Sequence, residues 1–169
     1  MSEKLSNQNE NRLMIAHFVD PNFEGRQFDE WPMHITVLPW FNYDKLSAIT
    51  EIEAAVDNMR ACRIALGETA LKSLGAVELF GNDLDVPVRR IGNSTSLGVI
   101  HGMLLNQFHR NLEDKSYIGG NYNPHLTIRK NQDPGESSIL TIDQLSLVEY
   151  GKPLKTIVRN YNLNDQTTT

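Results

Sequence analysis

The sequence predicts an α+β fold built on largely antiparallel sheet, with a weak internal symmetry between its two halves. Strand patterns come in adjacent pairs that short turns can join, and two helical patterns lie between them. One four-residue pattern of His, aliphatic, Thr, aliphatic occurs twice, as HITV at 34–37 and HLTI at 125–128. No low-complexity linker separates the halves, so we expect one domain over residues 12–163, with flexible termini at 1–11 and 164–169.

The first half of the chain supplies two strands and a helix. LMIAHFV at 13–19 and MHITVLPW at 33–40 are typical of buried strands. Asp44 can cap a helix that runs to about Met59, since apolar residues recur at helical spacing after it. The apolar stripe of this helix comprises Leu46, Ile49, Ile52, Ala55, Val56 and Met59.

The second half supplies the remaining strands and a second helix. Segments 73–81 and 84–92 flank the turn signal Gly81-Asn82-Asp83, and Pro87 places the second segment at a sheet edge. A helix should start after Asn93 to Ser96 and stop before Gly119-Gly120. Its apolar stripe comprises Leu97, Ile100, Leu104, Leu105, Phe108 and Leu112. The remaining strands are HLTIRK at 125–130, then 140–150 and 155–163 on either side of a turn at Gly151 to Pro153.

Composition indicates an ordinary globular protein, with 40% hydrophobic and 22% charged residues. Sixteen basic and 21 acidic residues give a net charge of −5, which disfavours binding to long duplex nucleic acid. No segment approaches the roughly 20 apolar residues that span a bilayer, and the N-terminus is too polar for a signal peptide, so we expect a cytoplasmic monomer. The single cysteine, Cys62, cannot form an internal disulfide and is expected to be a small buried residue.

The repeated motif places the same functional groups twice on one side of a strand. Residues two apart in a strand share a face, so His34 and Thr36 point one way, as do His125 and Thr127. The aliphatic residues between and after them point to the opposite face, where helices can cover them. If the two halves set these strands side by side, two imidazoles and two hydroxyls meet in one cavity.

These groups suit phosphodiester chemistry at a ribose 2′,3′ end. One imidazole can take a proton from the attacking oxygen while the other gives a proton to the departing oxygen, and the hydroxyls can donate to phosphoryl oxygens. Histidine, with an ordinary pKa near 6.5, is the side chain best suited to serve as base in one copy and acid in the other. The scheme demands neither a metal nor another cofactor. A single copy of the motif would be weak evidence, but two copies in one chain are far rarer by chance.

The stretches PMHITVLP and YNPHLTIRK resemble the two His-x-Thr/Ser motifs of the two-histidine phosphoesterase superfamily, which includes 2′-5′ RNA ligase and cyclic phosphodiesterase proteins. The resemblance extends over about Leu13 to Leu163. It implies a bilobal α+β fold, with each lobe supplying one motif to a central cleft and helices packed outside. It also implies metal-independent action on 2′,3′-cyclic phosphates or 2′-5′ linkages, at RNA ends or in small nucleotides, with ligation as the reverse reaction.

Carried onto this sequence, the resemblance makes His34 and His125 the acid/base pair. Thr36 and Thr127 become the phosphate ligands. A basic residue five positions after the second histidine is common in the family, and Lys130 occupies that position. Strict strand alternation instead places the neighbouring Arg129 on the face of His125.

Three aromatic residues flank the motifs and are predicted either to stack a nucleobase or to pack in the core. They are Trp40, Phe41 and Tyr122. Arg89-Arg90 could steer a phosphate, but a charged pair on an edge strand is more often a solvated rim. The other histidines carry weaker expectations: His17 suits a satisfied core residue, and His101 and His109 lie too far apart along a helix for a zinc-protease pair.

Two other classes of function stay open. A fold of this family could hold a nucleotide, an RNA end or a protein partner without turnover, although a pure binder needs no proton shuttles. The histidines could also be ligands of a small metalloprotein, but the motifs bring no carboxylate or thiolate companions of the kind that metal sites recruit.

Overall fold

The computed structural model describes residues 10–62, 71–81, 83–92, 95–129 and 131–164. In chain order, its elements are β1 (Glu10–Phe18), β2 (Gln27–Phe28), β3 (His34–Asp44), α1 (Lys45–Ala61), β4 (Leu71–Phe80), β5 (Val86–Gly92), α2 (Thr95–Phe108), β6 (His125–Thr127), β7 (Ile139–Thr141), β8 (Gln144–Tyr150) and β9 (Lys155–Asn162). Short 3₁₀ turns cover His109–Asn111 and Gly119–Asn121. No helix in the described part of the chain is long and apolar enough to cross a membrane.

The strands form one continuous sheet in the order β2-β9-β8-β1-β3-β6-β5-β4-β7, and every neighbouring pair is antiparallel. We call β2, β9, β8, β1 and β3 the first lobe, and β6, β5, β4 and β7 the second lobe. The lobes meet where β3 lies beside β6, with Ile35 opposite Leu126. This arrangement confirms the predicted α+β fold, and the two motif strands are immediate neighbours at the centre of the sheet.

One face of the motif strands forms the core. Ile35, Val37 and Leu126 are each 0% exposed, because α1 and α2 pack against β3 on this side of the sheet. Burying three aliphatic side chains of this size stabilises the fold by roughly 1.5 to 3 kcal/mol each. The alternation therefore turns the intervening His and Thr side chains to the opposite, open face.

Helix α1 starts as predicted, since a carboxylate oxygen of Asp44 accepts the backbone N–H of Ser47 at 2.8 Å. Its buried stripe is Ala48, Ile52, Val56 and Met59. The prediction was wrong for Leu46, which is 73% exposed because it lies in the first turn on the solvent side.

Helix α2 ends at Phe108, earlier than the predicted stop before Gly119. After a 3₁₀ turn, Leu112 forms a bridge with Phe41, and the N–H of Glu113 donates to the carbonyl of Trp40. Pairing with the outer end of β3 therefore competes with helix continuation. The helix starts at Thr95, within the predicted stretch Asn93 to Ser96, and Asn93 itself lies outside the described residues.

Several boundaries differ from the sequence prediction. Glu10 and Asn11 pair with Asp44 and Tyr43, so β1 begins inside the segment expected to be flexible and β3 runs four residues further than expected. The segment 140–150 divides into β7 and β8, and the short strand β2 was not predicted. These short pieces lack the length that makes a strand pattern recognisable.

Two local predictions were wrong for stated physical reasons. Pro87 does not mark an edge, because β5 lies between β4 and β6. The carbonyl of Pro87 accepts the N–H of Ile128 at 3.1 Å just beyond the three-residue strand β6, so the missing N–H of the proline falls where the pairing of β5 with β6 ends. Cys62 is exposed because it follows the last residue of α1, and its N–H donates to the carbonyl of Asn58.

Candidate active site

The two motifs face each other across the junction of the lobes. Ile35 lies opposite Leu126 in antiparallel register. Continuing that register places His34 opposite Thr127, and Thr36 opposite His125. Each imidazole therefore has the hydroxyl of the other motif as its cross-strand neighbour, and an approximate twofold axis passes between the strands.

The two histidines make the same local hydrogen bond. Nδ1 of His34 is 2.9 Å from the carbonyl oxygen of Pro32, and Nδ1 of His125 is 2.9 Å from the carbonyl oxygen of Asn123. In each case the partner is the carbonyl two residues earlier. Because a carbonyl oxygen only accepts, Nδ1 carries the proton in both rings, and Nε2 of the neutral ring holds the lone pair. Nε2 is thus the nitrogen of each imidazole that could exchange a proton with a ligand.

Each imidazole also stacks on an aromatic ring at the same angle. Trp31 lies 4.4 Å from His34 at 30°, and Phe80 lies 4.6 Å from His125 at 30°. His34 is only 9% exposed, whereas His125 is partly exposed. Burial lowers the pKa of His34 to about 4, and repulsion from His125 and Arg129 adds to this, although the hydrogen bond with Pro32 opposes it. His34 is therefore neutral at pH 7.

A stacked pair of rings, the buried His101 and the half-buried Tyr122, fixes the loop before the second motif. Nδ1 of His101 donates to the carbonyl of Val37 at 2.7 Å, and its Nε2 accepts the N–H of Gly119 at 3.0 Å. The ring of Tyr122 stacks on His101 at 3.9 Å and 4°, and the Tyr122 hydroxyl donates to the carbonyl of Thr36 at 2.9 Å. This network ties β3 to the loop that carries the second motif, so it sets the spacing between the two motifs.

The basic residues predicted near the site fall in different places. Arg129 lies close enough to His34 to lower its pKa, and an Nη1 of Arg129 is 3.4 Å from a carboxylate oxygen of Glu30. Lys130, the alternative basic residue, lies outside the described residues. Arg90 is paired in register with His125 and bonds to Glu78 and Asn123, so it shares the open face.

Arg89 is not part of a solvated rim, contrary to the sequence prediction. It is 7% exposed, and its guanidinium makes a bidentate ion pair with Asp133 at 2.6 and 2.7 Å. It also donates to the carbonyl of Gly75 at 2.9 Å. Lying opposite Leu126, it points to the core side, where it fastens the segment that follows β6.

The flanking aromatic residues separate into three environments. Phe41 is fully buried and stacks on Phe108 at 4.6 Å, so it belongs to the core. Trp40 is half-buried and lies 5.9 Å from Trp31, one ring away from His34. Tyr122 alone of the three lines a pocket together with His125 and Thr36.

Sequence reasoning missed Trp31 and Phe80, the two rings that stack on the catalytic candidates. Trp31 could have been found, because it precedes His34 by three residues just as Tyr122 precedes His125. Phe80 gives no such signal, since it comes from β4 and reaches His125 only through sheet pairing. The expectation for His17 holds: it is 4% exposed and its Nδ1 lies 2.8 Å from the carbonyl of Gln144.

The open face can perform proton transfer around one tetrahedral phosphorus. A group placed over the β3–β6 junction would lie between the two motif histidines, each of which has a threonine of the other motif as its cross-strand neighbour. Within the described residues, no group of three or more His, Cys, Asp or Glu side chains is placed to hold a metal ion.

Comparisons with known proteins agree with this geometry. The family model for the 2′-5′ RNA ligase superfamily matches residues 8–163. The structure of E. coli LigT complexed with ATP superposes with a TM-score of 0.55 and 13% identity, over 94% of this chain and 100% of that chain. The structure of TT0787 from Thermus thermophilus gives 0.52 and 18%, over 92% and 99%. A structure described as a phosphoesterase gives 0.53 and 12%, over 92% and 99%. No curated protein matches the chain. At these identities the structural likeness establishes a shared fold.

Proposed function

This chain belongs to the 2′-5′ RNA ligase superfamily, and we propose that it is a metal-independent phosphodiesterase. Its substrates are 2′,3′-cyclic phosphates or 2′-5′ phosphodiesters, at RNA ends or in small nucleotides. The observation that carries the proposal is the pair of imidazoles, His34 and His125, which flank one position with Nδ1 bound to a backbone carbonyl in both. A site that only bound a phosphate would not need two proton carriers in matched tautomers.

We assign the base to His34 and the acid to His125. His34 is buried and neutral, so its Nε2 can accept a proton from a water molecule. The water oxygen forms a bond to phosphorus, and the bond from phosphorus to the ribose 2′ or 3′ oxygen breaks. His125, the more exposed ring, acts as the imidazolium and gives its Nε2 proton to the departing oxygen, and exchange with solvent then removes the proton from His34 and restores the one on His125. Ligation would reverse each transfer.

The hydroxyls and one cation stabilise the charge that builds up on the phosphoryl oxygens. Thr36 and Thr127 lie on the two neighbouring strands β3 and β6, so each could donate to a different oxygen of a phosphoryl group held between the motifs. Arg129 already acts electrostatically on His34, which places its positive charge within reach of a phosphate at the same position. Lys130 and Trp40, predicted as further substrate contacts, are proposed in the same role.

A substrate panel tests the proposal against a binding module of the same fold. Nucleoside 2′,3′-cyclic phosphates, oligonucleotides with a cyclic phosphate end and 2′-5′-linked dinucleotides are incubated with the protein in saturating EDTA. We expect turnover of at least one class of substrate, with a phosphate monoester on the ribose as product. Tight binding without turnover of any member would establish the binding module, and activity lost in EDTA and restored by zinc or manganese would overturn the metal-independent mechanism.

A further inference from the structure

We propose that the apolar pocket beside His125 holds the base of the reacting nucleotide, so that the leaving ribose oxygen lies at His125. The inference rests on the proposed function, because it assigns a place to one part of the proposed substrate. The pocket has a volume of about 260 Å³ and lies on the open face of the sheet. It is bordered by His125 and Thr36, so any group in it is held within reach of the proton donor.

The walls of the pocket are apolar and aromatic. The first lobe contributes Met14 and Pro39. Strand β4 contributes Phe80, and the segment between α2 and β6 contributes Tyr117 and Tyr122. Phe80 is half-buried and Tyr117 is 62% exposed, with ring centroids 6.3 Å apart. Aromatic side chains at the mouth of an apolar recess are the surfaces on which nucleobases stack.

The size of the pocket limits its occupant. Pockets for drug-sized ligands measure roughly 300 to 1,000 Å³, so about 260 Å³ suits one heteroaromatic ring system and not a dinucleotide. The polar group at the rim is Asn123, whose side-chain oxygen accepts from Arg90 at 3.4 Å. The side-chain amide of Asn123 can form a hydrogen bond with the occupant of the pocket. A nucleobase can form such a bond, whereas a hydrocarbon cannot.

The opposite end of the cleft is chemically different. A recess of about 630 Å³ beside Trp31 has a mixed lining, in which the charged residues are Asp20, Arg26, Glu30 and Arg129. The ring of Trp31 stacks on His34 at 4.4 Å and lies 6.3 Å from Phe18, so the face that Trp31 turns to His34 is not available for a base. We therefore place the nucleobase at the apolar end of the site, beside His125. The attacking water enters at the charged end, beside His34.

The test compares two substrates that differ only in the base. One is adenosine 2′,3′-cyclic phosphate, and the other is base-free 1-O-methylribose 2,3-cyclic phosphate. Since stacking of one base is worth about 5- to 150-fold in affinity, we expect kcat/KM of the wild type to favour the nucleoside by that factor. Phe80→Ala and Tyr117→Ala should remove most of this preference, whereas Phe23→Ala, which truncates a ring that is 65% exposed and outside the pocket, should keep it.

Two variants are needed because Phe80 also stacks on His125. If Phe80→Ala lowers kcat/KM equally for both substrates, the variant has misplaced the imidazole of His125. If Phe80→Ala and Tyr117→Ala both lower kcat/KM equally for the two substrates, the base pocket is overturned. Tyr117→Ala makes no such contact in the described residues, so its effect reports the pocket itself. Equal use of the two substrates by the wild type would also overturn the inference.

Calorimetric titration separates this inference from the proposed function. If no substrate is turned over, the phosphodiesterase proposal fails, but 3′-AMP and base-free 1-O-methylribose 3-phosphate still test the pocket as ligands. The pocket predicts tighter binding of 3′-AMP by about 5-fold or more, lost in Phe80→Ala. Equal affinities would overturn it.

Discussion

Removing the ring of Trp31 should raise the pKa of His34 and shift the acidic limb of the pH–rate profile upward. The indole stacks on the imidazole at 4.4 Å and helps to keep it only 9% exposed. Burial is the largest cause of the low pKa, because the charged imidazolium loses its hydration there. Trp31→Ala admits water to one face of the ring, while the Nδ1 hydrogen bond to Pro32 is made by the backbone and stays in place.

The size of the effect follows from the pKa values. A shift from 6.5 to about 4 in His34 corresponds to about 3 kcal/mol against protonation. At pH 5 a base with a pKa near 4 is about 90% neutral, whereas one with a pKa near 6.5 is only about 3% neutral. A full return to the ordinary value would therefore lower kcat/KM at pH 5 by about 30-fold relative to the plateau.

The assay is the pH dependence of kcat/KM for wild type, Trp31→Ala and Trp40→Ala, with NMR titration of the His34 ring carbons in parallel. Trp40→Ala is the matched control, since Trp40 contacts Trp31 at 5.9 Å and does not stack on His34. We expect only Trp31→Ala to move the acidic limb. A wild-type His34 that titrates near pH 6.5, or an unmoved limb in Trp31→Ala, would refute the reasoning.

Three further results are expected. The free energy of unfolding should fall as pH drops from about 6.5 toward 4, since His34, held neutral when folded, takes up a proton on unfolding; an unchanged urea midpoint between pH 7 and pH 5 would contradict this. Thr36→Val and Thr127→Val each delete one hydroxyl donor and should each cost about 2 to 4 kcal/mol in the transition state, read from kcat; wild-type rates in both would assign the hydroxyls to the strands. Tyr122→Phe loses the hydrogen bond to Thr36 and should lower the unfolding free energy by about 1 kcal/mol; calorimetry showing no loss would speak against that bond.

Sequence reasoning succeeded where the signal is short-range and periodic. The two-residue alternation in HITV and HLTI was enough to place His34 with Thr36 and His125 with Thr127 on an open face. The Asp44 cap was likewise readable, because capping depends on residues three apart. The fold class followed from the order of the strand and helix patterns.

Reasoning from sequence failed where the outcome depends on pairing between distant segments. Arg89 looked like a surface charge, yet Asp133, 44 positions away, neutralises it at the core side. Phe80 reaches His125 only because β4, β5 and β6 are successive strands of one sheet. Pro87 misled for the same reason, since the length of its neighbouring strand decides whether a missing N–H matters.

The most direct test of the central claim is the turnover rate of four proteins on one substrate in EDTA: wild type, His34→Ala, His125→Ala and the double variant, with His109→Ala as an exposed-histidine control. If the imidazoles act as one acid/base pair, each single variant should lose about 10²- to 10⁴-fold in kcat. The kcat of the double variant should be only slightly below that of the less active single variant. His109→Ala should match the wild type. A single variant, His34→Ala or His125→Ala, that folds normally and retains near-wild-type turnover would contradict the account.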